Sequence, residues 1–243
     1  MPKVQDRRQI LLVGDSITQQ SFWVEQAGFG ASLAHWYSRA ADVTSRGYSG
    51  YNTRWARWML PRVFPAGSYE SLVLATVFFG ANDSVKEGES QHVPIAEYKD
   101  NLRIIVDHLR SLSPGVSIVL ITPPGFVDTE LWPTRAPSQV SVYIDAVREL
   151  YNEEQERGSS VGLVDLGDLE PSDMRDGLHF NSYGNAKVFA RLQHVVRERF
   201  PLLSPDETAP GVSSLSPHFP PSQAFAGLSI VEAEELISSW QWA

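Results

Sequence analysis

Cysteine is absent from this sequence of 243 residues, and so is any long apolar run. Without thiols the chain has no disulfide, no thiolate nucleophile and no cysteine-ligated metal site. A membrane-spanning helix needs roughly 18 consecutive apolar residues, so no stable membrane insertion is expected. The formal net charge is −9 and no Lys/Arg-rich run is present. Nucleic acid and anionic membranes require a basic face, so neither is an expected partner.

Signals for export and for metal binding are also missing. The first apolar run, Ile10–Val13, is shorter than the roughly 7–15 residues of a signal-peptide core, so a cytoplasmic location is expected. The lack of cysteine is compatible with a reducing compartment. The six histidines include no His-x-x-x-His pair. We therefore expect no metal. No other cofactor is expected, because Ala27-Gly28-Phe29-Gly30-Ala31 lacks the third glycine of a dinucleotide loop.

Short apolar runs alternate with longer segments of helical periodicity. The strand-like runs are Ile10–Val13, Leu72–Phe79, Val116–Ile121 and Val161–Leu166, with a weaker one near Val43. The helix-like segments are Val24–Arg39, Asn52–Val63, Glu97–Leu112, Ser138–Arg157 and Gly184–Phe200. The apolar runs do not alternate with polar residues, which is typical of parallel strands covered on both faces. The pattern predicts a flavodoxin-like, three-layer α/β/α fold with a five-stranded, mostly parallel sheet.

The composition changes after Leu203. Residues 1–203 are expected to form one domain, and residues 204–243 a Pro-rich C-terminal extension in which Glu232–Trp240 forms a short amphipathic helix. Two alternatives remain open for this extension. It is a solvated tail, or it docks on the body or on a partner subunit, which would give a homodimer formed through the tail.

Small and polar residues follow each predicted strand, where an α/β sheet binds its ligand. Ser16 follows the first strand, and Asp176 and His179 follow the last. A serine hydroxyl becomes nucleophilic when a histidine takes its proton and a carboxylate holds that histidine. Residues three apart on a turn face the same way, so Asp176 is able to reach the His179 ring.

Acyl transfer to a serine also needs fixed donors for the oxyanion that develops. Backbone N–H groups serve this purpose at a strand-to-helix turn or at a glycine, where no Cβ blocks close approach. An asparagine side chain serves it equally well. The candidates are Ser16, Gly50 and Asn82, which follow three strands expected to be neighbours.

Four sequence blocks together resemble the GDSL, or SGNH, hydrolases. They are Gly14-Asp15-Ser16, Gly50, Gly80-Ala81-Asn82-Asp83 and Asp176-Gly177-Leu178-His179, and their order and approximate spacing match that family over residues 9–200. The resemblance implies Ser16 as nucleophile, His179 as base and Asp176 as its carboxylate partner. It also implies an oxyanion hole made by the Ser16 and Gly50 N–H groups and the Asn82 side chain.

Within that family, "ILLVGDSITQQSF", "RGYSGYNTRWA" and "FFGANDS" are most similar to the isoamyl acetate-hydrolysing esterase branch. The resemblance implies a serine esterase that hydrolyses short-chain, acetate-type esters through an acyl-enzyme, with a small ester as its partner. The alternatives are a carbohydrate O-deacetylase, a lysophospholipase or thioesterase on the same scaffold, and a non-catalytic ester- or sugar-binding protein.

Three further residues near these blocks have candidate roles. Asp15 is expected to cap the helix after the first strand, with substrate contact as its other candidate role. Asp83 is expected to orient Asn82. Trp132, in the loop 126–137, is a candidate for the wall of the substrate pocket.

Overall fold

The computed structural model describes residues 7–206, Ala224 and residues 227–239. Five strands form one sheet: β1 (Gln9–Gly14), β2 (Asp42–Gly47), β3 (Leu72–Phe78), β4 (Ser117–Ile121) and β5 (Val161–Val164). The seven α-helices of the described residues are α1 (Ser16–Gln19), α2 (Phe29–Trp36), α3 (Thr53–Val63), α4 (Ile95–Leu112), α5 (Pro137–Glu156), α6 (Ser182–Arg199) and α7 (Ile230–Ser239).

All strand pairings in this sheet are parallel, in the order β2-β1-β3-β4-β5. The expected flavodoxin-like order and the three-layer architecture are confirmed. Because strand side chains alternate, Ile10 and Leu12 face one layer while Leu11 and Val13 face the other. Helices α2 and α6 cover the first face, and α3, α4 and α5 cover the second.

The helix expected over Val24–Arg39 is interrupted. Ala27 adopts a left-handed conformation with φ of 46°, which ends a short 3₁₀ turn over Val24–Gln26 before α2 begins at Phe29. One residue in this conformation breaks the ladder of helical hydrogen bonds, and the local apolar pattern does not reveal it. Strand β2 has a weak sequence signal because it is an edge strand whose residues are mostly half-buried.

The sheet order brings the ends of β2, β1 and β3 side by side. The sheet reverses its direction of growth between β1 and β3, and this is the point at which such folds bind ligands. Most of the Pro-rich extension lies outside the described residues. Helix α7 covers most of the expected segment Glu232–Trp240, and Trp240 is not among the described residues.

Candidate active site

Ser16 stands at the first position of α1, directly after the turn that ends β1. Gly14 is required there because a Cβ at this position would lie 2.0 Å from Thr18 Oγ1 and 2.5 Å from the Phe78 carbonyl oxygen. Asp15 caps the helix, since its Oδ1 accepts a hydrogen bond from the Ile17 N–H at 2.9 Å. The strand therefore stops where its backbone turns tightly enough to present the Ser16 hydroxyl at the sheet edge.

The hydroxyl of Ser16 faces a histidine from the far end of the chain. His179 Nε2 lies 2.9 Å from Ser16 Oγ, and His179 Nδ1 lies 2.9 Å from Asp176 Oδ2. An ionised carboxylate can only accept, so the ring proton resides on Nδ1 and Nε2 is left as an acceptor for the serine proton. The three residues form a continuous Ser–His–Asp hydrogen-bond chain.

Asp176 is held in its ionised form. Burial opposes ionisation, but hydrogen bonds from the His179 N–H, the Arg175 guanidinium and the His179 ring outweigh it and lower the pKa of Asp176 to about 2. Arg175 Nη2 lies 3.0 Å from Asp176 Oδ2, and its guanidinium stacks 4.6 Å from the centre of the Trp23 ring. Asp176 therefore stays negatively charged over the whole neutral range.

Two backbone N–H groups near the Ser–His–Asp hydrogen-bond chain have no acceptor among the described residues. Among the described residues, no hydrogen-bond acceptor takes the N–H of Ser16 or of Gly50. Gly50 has φ of +78°, as the third residue of the turn closed by the bond from Tyr51 N to Tyr48 O at 3.1 Å. That conformation is typical of the glycine in a type II turn.

Asn82 follows β3 and is anchored at both ends of its carboxamide. Its Nδ2 donates to the Tyr51 carbonyl at 2.9 Å, and its Oδ1 accepts from Arg135 Nη2 at 2.9 Å. The expectation that Asp83 orients Asn82 is wrong. The Asp83 carboxylate instead accepts hydrogen bonds from the N–H and hydroxyl of Thr53, at the start of α3.

Two carboxyl groups lie fully buried beneath these residues. Burial raises the pKa of Asp15 to about 7 and that of Asp83 to about 6. Each has one oxygen, Oδ2, without a hydrogen-bond partner among the described residues. The capping interpretation of Asp15 agrees with this geometry. Contact with substrate does not, because its side chain has no exposed surface.

Trp132 lies beside the histidine. Its Nε1 donates to the Asp176 carbonyl at 2.9 Å, and its ring meets the His179 ring edge to face at 6.1 Å. Trp132 therefore supports the Asp176–His179 turn. Its role as a wall of the substrate pocket stays a prediction.

The fold thus gathers Ser16, Gly50, Asn82, Asp176 and His179 at one edge of the sheet. Sequence reasoning missed Arg135 and Arg175, which contact Asn82 and Asp176. An arginine in a loop carries no local signal of burial, so only the position of Arg175 directly before Asp176 offered a hint.

Two cavities differ sharply in size and place. One of about 10 Å³ adjoins His179 and is lined in part by Ile17, Trp23 and Phe180. A second of about 1070 Å³ lies at the opposite edge of the sheet, where the strands begin. The larger one lacks every residue of the Ser–His–Asp chain.

The described residues contain no cluster of three or more His, Asp or Glu able to hold a metal, and none of their helices is long and apolar enough to cross a membrane.

Comparison with known proteins gives concordant results. The model of the GDSL-like lipase/acylhydrolase family matches residues 12–187. A GDSL esterase/lipase of Arabidopsis thaliana is 41% identical over 220 residues, covering 83% of this chain and 89% of the relative. The isoamyl acetate-hydrolyzing esterase 1 homolog of Homo sapiens is 39% identical, and the match covers 81% of this chain and 85% of the relative. The isoamyl acetate-hydrolyzing esterase of Saccharomyces cerevisiae is 32% identical, and the match covers 82% of this chain and 90% of the relative.

Solved structures share the fold at lower sequence identity. The aryl esterase of M. smegmatis superposes with a TM-score of 0.62 at 17% identity, covering 79% of this chain and 100% of that one. The lipase/acylhydrolase of Enterococcus faecalis superposes with a TM-score of 0.60 at 22% identity, covering 83% of this chain and 100% of that one.

Proposed function

This chain belongs to the GDSL-like lipase/acylhydrolase family and is a carboxylic ester hydrolase, and on that premise we propose that it cleaves short-chain, acetate-type esters through an acyl-enzyme on Ser16. The observation that carries the proposal is the hydrogen-bond chain from Ser16 Oγ through His179 to Asp176. The similarity to isoamyl acetate-hydrolyzing esterases supports the choice of acetate esters.

In the first half of the reaction, His179 Nε2 takes the Ser16 proton as Oγ attacks the ester carbonyl. The negative charge that develops on the carbonyl oxygen is stabilised by hydrogen bonds that the Ser16 N–H, the Gly50 N–H and Asn82 Nδ2 donate to it. The C–O bond to the alcohol then breaks, and His179 returns the proton to the departing alkoxide. An acetyl group remains on Ser16.

In the second half, water replaces the alcohol. His179 takes a proton from the water, the hydroxide attacks the acetyl carbon, and the bond to Ser16 Oγ breaks as His179 returns the proton to it. Asp176 accepts the Nδ1–H hydrogen bond throughout and stabilises the imidazolium that forms twice per turnover. The products are acetate and the free enzyme.

The preference for a short acyl group rests on the similarity to isoamyl acetate-hydrolyzing esterases. The cavity of about 10 Å³ beside His179 does not set the acyl length, because Ser16, Gly50 and Asn82 do not line it. A lysophospholipase or thioesterase would need a long apolar channel at Ser16, so acyl-length preference distinguishes these alternatives.

The test is hydrolysis of p-nitrophenyl acetate, butyrate, octanoate and palmitate, and of isoamyl acetate, by wild type and Ser16→Ala. A Ser16-dependent rate that falls steeply with acyl length is the expected result, together with an acetyl adduct on Ser16 after acid quench. Preference for octanoate or palmitate would replace the proposal with the lipase or thioesterase alternative. Absence of any Ser16-dependent rate would redirect the search to sugar acetates, or to a binding protein if those fail too.

A further inference from the structure

We propose that Arg135 is a positioning residue that fixes and polarises the Asn82 carboxamide, making it a stronger donor to the developing oxyanion. The proposal rests on the proposed function, in which Asn82 is one of three oxyanion donors. It adds a residue that no sequence block of the family-like pattern contains. Arg135 contacts Asn82 and acts through it.

The guanidinium of Arg135 donates hydrogen bonds to two consecutive residues. Nη1 donates to the Ala81 carbonyl, and Nη2 donates to Asn82 Oδ1 at 2.9 Å. A guanidinium has no acceptor, so the Asn82 atom that faces it must be the oxygen. The contact therefore fixes which way the carboxamide points, and its NH₂ group is turned toward Tyr51 and away from Arg135.

That NH₂ group carries two hydrogens. The Tyr51 carbonyl accepts one of them at 2.9 Å, which leaves the second for the substrate oxygen. Flipping the carboxamide would place NH₂ against the guanidinium and its oxygen against the Tyr51 carbonyl, and both contacts would be repulsive. Arg135 thus removes the alternative rotamer in which Asn82 would present an acceptor to the oxyanion.

The charge of Arg135 also acts on the strength of the donor. A positive group bound to an amide oxygen draws electron density from the nitrogen, and hydrogen-bonded groups polarise one another more strongly in a low-dielectric interior. Arg135 is 4% exposed and Asn82 is 3% exposed, so water screens this interaction little. The polarisation is present before substrate arrives and costs no reorganisation during the reaction.

The charge of Arg135 is buried without a paired carboxylate in the part of the chain that the structure describes. Among the described residues, no carboxylate forms an ion pair with Arg135, and its Nε has no hydrogen-bond partner. The buried Asp15 carboxyl contributes a favourable field, and the Trp132 ring lies 5.5 Å from the guanidinium. Burying a charge without an ion pair is costly, and an apolar side chain of similar length, such as methionine, would fill most of the space at lower cost.

The loop that carries Arg135 is tied to both halves of the site. Arg135 forms an isolated antiparallel bridge with Val85, and Thr134 O accepts a hydrogen bond from Lys86 N at 2.8 Å. The Arg135 guanidinium also lies 5.5 Å from the centre of the Trp132 ring. This segment therefore supports Asn82 through Arg135 and the Asp176–His179 turn through Trp132.

The test is a double-mutant cycle on p-nitrophenyl acetate hydrolysis with Arg135→Met, Asn82→Ala and the double variant. We expect Arg135→Met to lower kcat at least about tenfold with KM changed less than about threefold, since the lost interaction acts in the transition state. In the Asn82→Ala background the same change should cost less than about threefold, because its target is gone. An equal loss in both backgrounds, or an unchanged kcat, overturns the proposal.

Arg110→Met is the matched control. Arg110 is paired with the buried Glu154 at 2.6 Å, far from Asn82. We expect it to lower the thermal unfolding temperature and to leave kcat near wild type. A kcat loss in Arg110→Met as large as that in Arg135→Met would mean that general destabilisation explains both, and would overturn the proposal.

Arg135→Lys covers the case in which Arg135→Met does not fold. Lysine keeps the charge and the long stem but cannot grip both acceptors in the fixed fork of a guanidinium. We expect kcat to fall about fivefold or more in the wild-type background and less than about twofold with Asn82→Ala. Wild-type kcat in Arg135→Lys overturns the requirement for the fork.

A readout without turnover separates this proposal from the proposed function. The side-chain NH₂ resonances of Asn82 in ¹⁵N-labelled protein should move in Arg135→Lys and remain in place in Arg110→Met. Resonances that do not move in Arg135→Lys overturn the proposal. If wild-type hydrolysis proves independent of Ser16, the proposed function fails, while the resonance shift still decides whether Arg135 orients Asn82.

Discussion

His179 Nε2 lies 2.9 Å from Ser16 Oγ, although the two residues are 163 positions apart in the chain. Ser16 belongs to the turn after β1, and His179 to the loop after β5. The approach is possible because every strand of the parallel sheet ends at the same edge. Substitutions at the residues around this contact can reveal what holds it in place.

Asp176→Asn should lower kcat roughly 100- to 10,000-fold, with the protein still folded. An asparagine that donates to Nδ1 would force the His179 proton onto Nε2, where it no longer accepts from Ser16. Steady-state kinetics on p-nitrophenyl acetate provide the measurement. Asp168→Asn is the control, since Asp168 is paired with Arg191 at 2.7 Å in the same loop and should retain wild-type kcat. A kcat close to that of wild type in Asp176→Asn would exclude Asp176 from the reaction.

Gly50→Ala should lower both stability and kcat. Its φ of +78° disfavours any residue with a Cβ by about 1 to 2 kcal/mol, and relaxing the turn would shift the N–H that is proposed to meet the oxyanion. Gly67→Ala provides a matched control. Gly67 has φ of +82°, and no atom of the described residues lies within 4 Å of the position that a Cβ would take, so it carries the same strain away from the site. Urea unfolding should show similar losses, with kcat reduced only in Gly50→Ala. Equal kcat values for the two variants would remove the Gly50 N–H from the oxyanion hole.

Trp132→Phe should reduce kcat by less than about tenfold, because one neutral hydrogen bond is lost while an aromatic ring still packs on His179. The lost bond is the one from Trp132 Nε1 to the Asp176 carbonyl. Trp132→Ala should cost more and, if Trp132 forms a pocket wall, should raise the kcat/KM for butyrate relative to acetate. Trp58→Phe, at a side chain that is 59% exposed, should change neither ratio nor rate. An unchanged acetate-to-butyrate ratio in Trp132→Ala would argue against the pocket wall.

Asp15→Asn should reduce the amount by which the free energy of unfolding decreases as pH rises. Burial raises the pKa of Asp15 to about 7 in the folded protein, above its ordinary value of about 4 in an unfolded chain. Between these values the folded state keeps a proton that the unfolded state has lost, so stability falls as pH rises from about 4 to 7. The loss should be on the order of 2 to 4 kcal/mol and should be absent in Asp15→Asn.

The measurement is the free energy of unfolding in urea at pH values of about 4.5, 6 and 8, which span this window. Asp83→Asn provides a second group with a different window, because the pKa of Asp83 is raised to about 6. Its effect should therefore be complete at a lower pH than that of Asp15→Asn. Parallel curves for wild type and Asp15→Asn would contradict the raised pKa.

Ending the chain after Asp206 should leave the folded body intact. Asp206 accepts from Trp36 Nε1 at 2.8 Å and from Arg197 Nε at 2.7 Å, so this cut keeps the contacts that fasten residue 206 to α2 and α6. We expect the unfolding temperature to change by less than about 4 °C. A cut after Arg199 should cost more, because it removes the buried Phe200.

The same truncated protein tests the remaining ideas about the extension. If the tail covers the site, truncation should broaden the acyl-length preference. If the chain dimerises through the tail, light scattering should report a monomer after truncation. Unchanged acyl preference and unchanged mass would leave the solvated tail as the better description.

Local sequence patterns are sufficient to predict the sheet, most helices and the candidates for chemistry. Apolar runs such as Ile10–Val13 predict buried strands because burial follows a short local pattern. Ser16, Gly50, Asn82, Asp176 and His179 were identifiable because their residue types follow strand ends in a recognisable order. The edge strand β2 has a weaker signal because it is only half-buried, and the left-handed Ala27 has none.

The surroundings of these candidates depend on the folded chain. Arg135 reaches Asn82 across 53 positions, Trp132 reaches Asp176 across 44, and Asp83 pairs with Thr53 across 30 in place of Asn82. Hydrophobic periodicity is local, but a hydrogen bond between distant polar side chains depends on the angles and spacing of the elements that carry them. Those angles are set by packing over the whole sheet, so the support of the site emerges only when the chain is folded.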